Sequence, residues 1–110
     1  MRGGKFTDYK ISSGNVFRHL ELPDAEVLDT KADLAIEIAR LIRKRSLTQM
    51  EAARIIGVDQ PKVSAIVRGR LEKFSVERLC ALLTRLGCDV DIRVRERRRK
   101  TLGKLTVSVA

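Results

Sequence analysis

Leu47-Thr48-Gln49-Met50-Glu51-Ala52-Ala53-Arg54-Ile55-Ile56-Gly57-Val58-Asp59-Gln60-Pro61-Lys62-Val63-Ser64-Ala65-Ile66-Val67-Arg68-Gly69 decides how this chain folds. Thr48 and Glu51 have the spacing of a capping box, in which each side chain satisfies a free amide of the other residue. Ala52, Ala53 and Ile56 follow as the inward face of a short helix, and Gly57 stops it. Two residues later Asp59 caps a second helix, with Pro61 in the first turn where a missing N–H costs nothing. Counted from Gln49, Ala53 is fifth, Gly57 ninth and Val63 fifteenth. The fifth residue is where the two helices touch, so it must be small. The ninth opens the turn and needs the positive φ that glycine tolerates. The fifteenth plugs the angle between the helices, so it must be apolar. Ala52, Ile56, Val58 and Ile66 fill the other inward positions, and Val67 is read as inward too. An ordinary helical hairpin can match some of these positions. All of them together, with both caps, spell a helix-turn-helix.

Outward from the motif the signals are also helical. Thr30-x-x-Asp33 resembles a capping box, and Leu34, Ile38, Leu41 and Ile42 then share one helix face. Arg43-Lys44-Arg45 closes that helix with the charge its dipole favours. The cluster therefore has a structural reason, with DNA contact a secondary one. Ser75 caps a further helix carrying Val76, Leu79, Leu82, Leu83 and Leu86, which Gly87 ends. Upstream, Asn15 can cap a short helix from Val16 to Leu20, and Leu22-Pro23-Asp24 restarts the chain, with Pro23 suited to a first helical position and acids following it. Downstream the period changes. Asp89-Val90-Asp91-Ile92-Arg93-Val94-Arg95 alternates charged and apolar residues, as a half-buried strand does. A lone strand leaves its backbone groups unpaired. It must therefore pair with the terminal segment Thr106 to Val109 or with a second copy of the chain.

Composition limits the function. The chain has 110 residues, 23 Lys+Arg and 14 Asp+Glu, a net charge of +9. Such a surplus on a small domain favours an anionic partner, nucleic acid or an acidic protein. It is uneven, because residues 93–110 hold seven basic groups and one acid. That tail reads either as solvated and self-repelling or as a phosphate-binding arm. The longest apolar run is five residues, far short of a membrane span. The first fifteen residues lack the apolar core of a secretory signal, so a cytoplasmic protein with reduced cysteines is expected. Catalytic signals are weak. His19 stands alone, and Cys80 and Cys88 lack the partners of a zinc site. No glycine-rich phosphate loop occurs. Neither an enzyme, nor a metal, nor a cofactor is expected.

The motif, Leu47-Thr48-Gln49-x-x-Ala52-Ala53-x-x-Ile56-Gly57-Val58-x-Gln60-x-x-Val63-Ser64-x-Ile66-x-Arg68-Gly69, resembles the Xre/Cro/C1 family of phage-repressor-like DNA-binding domains. The flanking stretches are Ser13 to Phe17, Phe74 to Leu79 and Gly87 to Ile92. They are similar to a narrower bacterial group, the Xre-type antitoxins paired with RelE/HigB-like toxins. The family often carries an acid before the final Arg-Gly. Here Val67 stands there, which removes a surface salt bridge from the expectation and leaves the fold unaffected.

The expected architecture is mainly α, a lambda-repressor-like bundle of four to five helices with a C-terminal β-strand. Its divisions are an N-terminal segment, 1–29, the helix-turn-helix domain, 30–87, the dimerising strand, 88–95, and a basic tail, 96–110. In this resemblance the helix from Gln60 to Arg68 lies in the major groove of an operator, itself expected to be palindromic. Gln60 can pair with adenine N6/N7, Lys62 can donate to guanine O6/N7, Ser64 can serve either, and Ala65 can touch a thymine methyl. The resemblance implies that Gln49 bonds a phosphate and braces Gln60. Arg68, Arg70 and Lys73 are the further phosphate contacts expected. Repressors of this kind pair, so Val90, Ile92 and Val94 are the expected dimer residues and a homodimer the expected state. A toxin partner follows from the narrower resemblance alone. Two other readings stand beside this one. The first is an interaction module whose motif no longer reads DNA. The second is an RNA binder using the arginine-rich tail, which the lack of aromatic stacking residues disfavours.

Overall fold

Four helices follow one another in the computed structural model, which describes residues 24–98 and 100–110. They are α1 (Asp24–Lys44), α2 (Gln49–Ile56), α3 (Gln60–Val67) and α4 (Val76–Arg85). The short helix expected from Val16 to Leu20 lies outside the described residues.

The first helix begins earlier than the Thr30 capping signal suggests. Asp24 and Glu26 already place acid in its first turn, where the dipole favours it. Thr30 lies inside the helix, only 3% exposed. Its hydroxyl donates to the Glu26 carbonyl at 2.9 Å, so the side chain that looked like a cap is satisfied one turn back. Leu34, Ala35, Ile38, Leu41 and Ile42 form the buried stripe of α1. That stripe packs mainly on α4 and also on α3, while α2 packs on α3 and α4. Ile38, Ile56, Val63, Ile66 and Leu79 are the largest fully enclosed side chains. Every helix thus contributes to one core, and α2 and α3 are held against it at a defined angle.

All four helices close in the same way. Leu47 N–H bonds Ile42 C=O, Val58 bonds Ala53, Arg70 bonds Ala65 and Cys88 bonds Leu83, each reaching five residues back. This closure needs a left-handed residue just before the donor. Gly57, Gly69 and Gly87 supply it at φ 75°, 77° and 88°. Ser46 supplies it for α1 at φ 54°, alone among the described non-glycine residues in having positive φ. That conformation costs a residue with a Cβ about 1–2 kcal/mol.

The caps of α2, α3 and α4 match the sequence reading. Thr48 N–H donates to Glu51 Oε1 at 2.8 Å, and Glu51 N–H donates to Thr48 Oγ1 at 3.0 Å. Asp59 Oδ1 accepts from Lys62 N–H at 3.0 Å. Ser75 Oγ accepts from Arg78 N–H at 2.9 Å.

Beyond α4 the described residues form no strand. The segment expected to be a strand has no ladder partner among the described residues. Val90 instead packs on the helical core, as does Val107, while Ile92 and Val94 are 53% and 88% exposed.

Candidate nucleic-acid interface

The turn between α2 and α3 brings the first residues of both helices together. Gln49 opens α2, Gln60 opens α3, and Gln60 Nε2–H donates to Gln49 Oε1 at 2.6 Å. The consequence is chemical. A glutamine amide has two N–H donors and one carbonyl acceptor. Gln60 spends one donor on Gln49 and keeps the other, together with its Oε1. A free donor beside a free acceptor is the pattern that adenine N7 and N6 require. Gln49 accepts through its oxygen, so its own NH₂ stays available to donate to an anionic group. One bond therefore orients both amides.

The other site residues divide by their position around α3. Val63 and Ile66 are enclosed. Gln60 and Ser64, four apart, share a side, as do Pro61 and Ala65. Ser64 and Ala65 are half-buried, and Pro61 is exposed. Lys62 does not join Gln60, because residues two apart on a helix do not face each other. Its Nζ instead lies 3.4 Å from Asp59 Oδ2. Val67, read as inward, is 42% exposed. Val63 and Ile66 already occupy the centre of the buried face, which leaves Val67 on its rim. Arg68, Arg70 and Lys73 are exposed around the end of α3 and the loop after it. Among the described residues none of the three makes an ion pair.

A residue from outside the motif lies over the turn. A Cβ placed on Gly57 would meet the Arg85 guanidinium at 3.3 Å, so the end of α4 lies over the ninth motif position. Nothing in the local spacing shows this, because the two residues are far apart in sequence.

With this geometry in view, the relatives are informative. A family model described as "Helix-turn-helix domain" matches residues 16–95. A solved structure named as an XRE family transcriptional regulator is 43% identical, with a TM-score of 0.75. The match covers 80% of this chain and 100% of that one. This chain belongs to the XRE-type helix-turn-helix family. No curated protein matches it.

The electrostatics of this XRE-type domain follow from its caps. The Thr48 amide donated to Glu51 holds that carboxyl below its ordinary range. The Lys62 amide donated to Asp59 does the same there. Both acids therefore remain ionised at neutral pH and occupied by their own helix ends. Arg68, Arg70 and Lys73 are exposed and make no ion pair with another described residue, with Glu72 an acid in the same loop. Cys80 is a packing residue whose thiol is pushed up by burial and by the neighbouring Glu77 charge. Among the described residues no group of three or more His, Cys, Asp or Glu side chains is placed to hold a metal ion. No helix of the described residues is long and apolar enough to cross a membrane.

Proposed function

We propose that this chain is a DNA-binding transcriptional regulator that reads double-stranded DNA with α3 in the major groove. The observation that carries this reading is the Gln60–Gln49 bond at the paired helix starts. It presents one base-reading amide and one phosphate-facing amide, ringed by exposed cations. Gln60, Lys62, Ser64 and Ala65 meet base edges in this reading. Gln49, Arg68, Arg70 and Lys73 meet phosphates and set register. Lys62 leaves Asp59 to reach a guanine, which costs little because exposed ion pairs contribute about 0–1 kcal/mol. The relative named as an XRE family transcriptional regulator supports the same assignment.

One such domain spans few base pairs, so we further propose a homodimer on a palindromic operator. Its recognition helices would sit about 34 Å apart on successive turns. The segment 88–95 joins the copies, with Ile92 and Val94, exposed in the single chain, covered in the pair and Val90 anchoring them to the core. A stable monomer at micromolar concentration in sedimentation would reject this. The role proposed is repression of its own operon as the cytoplasmic antitoxin of a RelE/HigB-like toxin. This rests on family resemblance, and co-purification with the product of the adjacent reading frame tests it. The central experiment is fluorescence anisotropy on the duplex upstream of the reading frame against a scrambled duplex. A specific operator binds about 10³–10⁷-fold tighter than nonspecific DNA. Equal binding to every duplex, including ones enriched by selection from random sequence, would refute sequence reading.

A further inference from the structure

The C-terminal segment is held to the core at two points. Val90 and Val107 both pack against the helical core, so the described residues between them leave the domain and return to it. This excursion carries Arg93, Arg95, Arg97, Arg98, Arg99, Lys100 and Lys104 against only Asp91 and Glu96. Every described residue from Asp91 to Lys104 is exposed. None of them makes an ion pair with another described residue. A free tail would scatter its charges, whereas a tethered one keeps them beside the domain at high effective concentration.

The order of residues within the excursion matters. From Val90 to Arg95 apolar and charged positions alternate, with Val90, Ile92 and Val94 on one set and Asp91, Arg93 and Arg95 on the other; Arg97 continues the second set, after Glu96 has ended the apolar one. In an extended chain alternate residues share a face and repeat every ~6.7 Å. That spacing is comparable with the separation of successive phosphates along one strand of a duplex. The guanidinium fork also suits phosphate oxygens, which it can bind in bidentate fashion.

We infer that Arg93, Arg95 and Arg97 form a second phosphate-binding surface, additional to the α3 site, that tracks the backbone of a DNA duplex. The inference rests on the DNA-binding reading above but has its own readout. The α3 residues set the preference for one sequence, and the arginine ladder sets affinity for any duplex. Apolar residues on the alternate set leave the ladder free when Ile92 and Val94 are covered by a second copy.

The test is the salt dependence of binding by the full chain, on the preferred and on a scrambled duplex. Each phosphate neutralised contributes roughly 0.9 to the slope of log K against log salt. Replacing all three (Arg93→Gln, Arg95→Gln, Arg97→Gln) is expected to make the slope shallower by roughly 3 on both duplexes. The ratio of the two affinities stays unchanged. Arg→Lys at the same positions keeps most of the slope. Arg54→Gln, an exposed cation on α2, calibrates the loss from net charge alone, and each ladder position must lose at least twice that. Thermal melts of the Gln variant should match the parent, because all three side chains are exposed. An unchanged slope overturns the ladder and leaves the α3 reading intact. Loss of single-stranded RNA affinity with the duplex slope intact overturns the assignment to DNA. A parent protein with a steep slope and no sequence preference instead refutes the α3 reading, while the ladder is still decided by the scrambled duplex. A parent that binds no duplex refutes both.

Discussion

Removing the Gln49 side chain tests whether the bond between the helix starts organises recognition. Gln60 is exposed and Gln49 half-buried, so Gln49→Ala opens no core and should lower stability by no more than the worth of the bond it removes. Its diagnostic effect is on binding. In the free protein Gln60 is held by one neutral hydrogen bond of 2.6 Å. Such a bond has a net worth of about 0.5–1.5 kcal/mol, and without it Gln60 must be ordered at the expense of binding energy. Discrimination against a wrong base opposite Gln60 should therefore fall about two- to tenfold. The expected phosphate bond of Gln49 adds a separate, sequence-independent loss. A double-mutant cycle separates the two. Gln49→Ala, Gln60→Ala and the double variant are titrated by anisotropy on the preferred duplex and on one altered at the base opposite Gln60. Coupling of about 0.5–1.5 kcal/mol is expected on the preferred duplex and none on the altered one. Additivity within about 0.3–0.5 kcal/mol on both would refute the bracing role and leave Gln49 as a phosphate contact only.

The remaining predictions concern how the site is held. Ser46→Gly should stabilise the domain by up to about 1 kcal/mol, because it removes the left-handed strain of a residue with a Cβ but adds freedom to the unfolded chain. A lower melting midpoint would contradict the closure described for α1. Gly69→Ala should cost about 1–2 kcal/mol from backbone alone, since no atom lies within 4 Å of the added Cβ. Gly57→Ala should cost slightly more, and Arg85→Ala should recover the difference in urea titrations. Ala53→Leu, at a position 7% exposed where α2 meets its neighbours, should lose about 1–3 kcal/mol by overpacking. It should weaken DNA binding as the helix angle opens. Stability should also fall as pH drops. Glu51 and Asp59 titrate lower in the folded chain than their ordinary values of 4.5 and 3.8, so the unfolded chain takes up protons first. Their contribution is complete above about pH 5–6 and is lost as pH falls through the depressed folded values. Glu51→Gln with Asp59→Asn should flatten that part of the profile.

Much of this fold was legible because its decisive features are local. A capping box needs only Thr48 and Glu51 three apart, and a helix stop needs only Gly57. Both rules act within a single turn, so the sequence displays them directly. Sequence and structure part where a local rule has a second solution. Thr30 has the chemistry of a cap, but a threonine hydroxyl can equally bond the carbonyl four residues back, and Asp24 and Glu26 had already started the helix. Ser46 shows the converse. Its left-handed conformation has no propensity signal, because serine has a Cβ. The α1 closure forces it, since Leu47 N–H must reach Ile42 C=O and Leu47 itself is half-buried against the core.

The candidate site was legible in part for the same reason. Which residues lie on α3 follows from its caps, and the expected brace between Gln49 and Gln60 is present in the structure. Which residues act together depends on angles around the helix. Lys62 turns from Gln60 toward its own cap, and Val67 rises to the rim, because helical phase governs both more strongly than residue type. Arg85 over Gly57 and Val107 against the core are contacts between distant parts of the chain, and spacing carries no trace of them. The second of these changes the meaning of the C-terminal charge. Read along the sequence, the arginines from Arg93 onward form a tail that is either solvated and self-repelling or a phosphate-binding arm, and nothing local decides between the two. Once Val107 returns to the core, the same charges are confined beside the domain. Confinement of like charge without paired acids raises the local potential and strengthens attraction for a polyanion. The tether, rather than the charge count, therefore makes the segment a candidate surface. Val107→Ser should release it without changing the charge, reducing duplex affinity at low salt while every arginine stays in place.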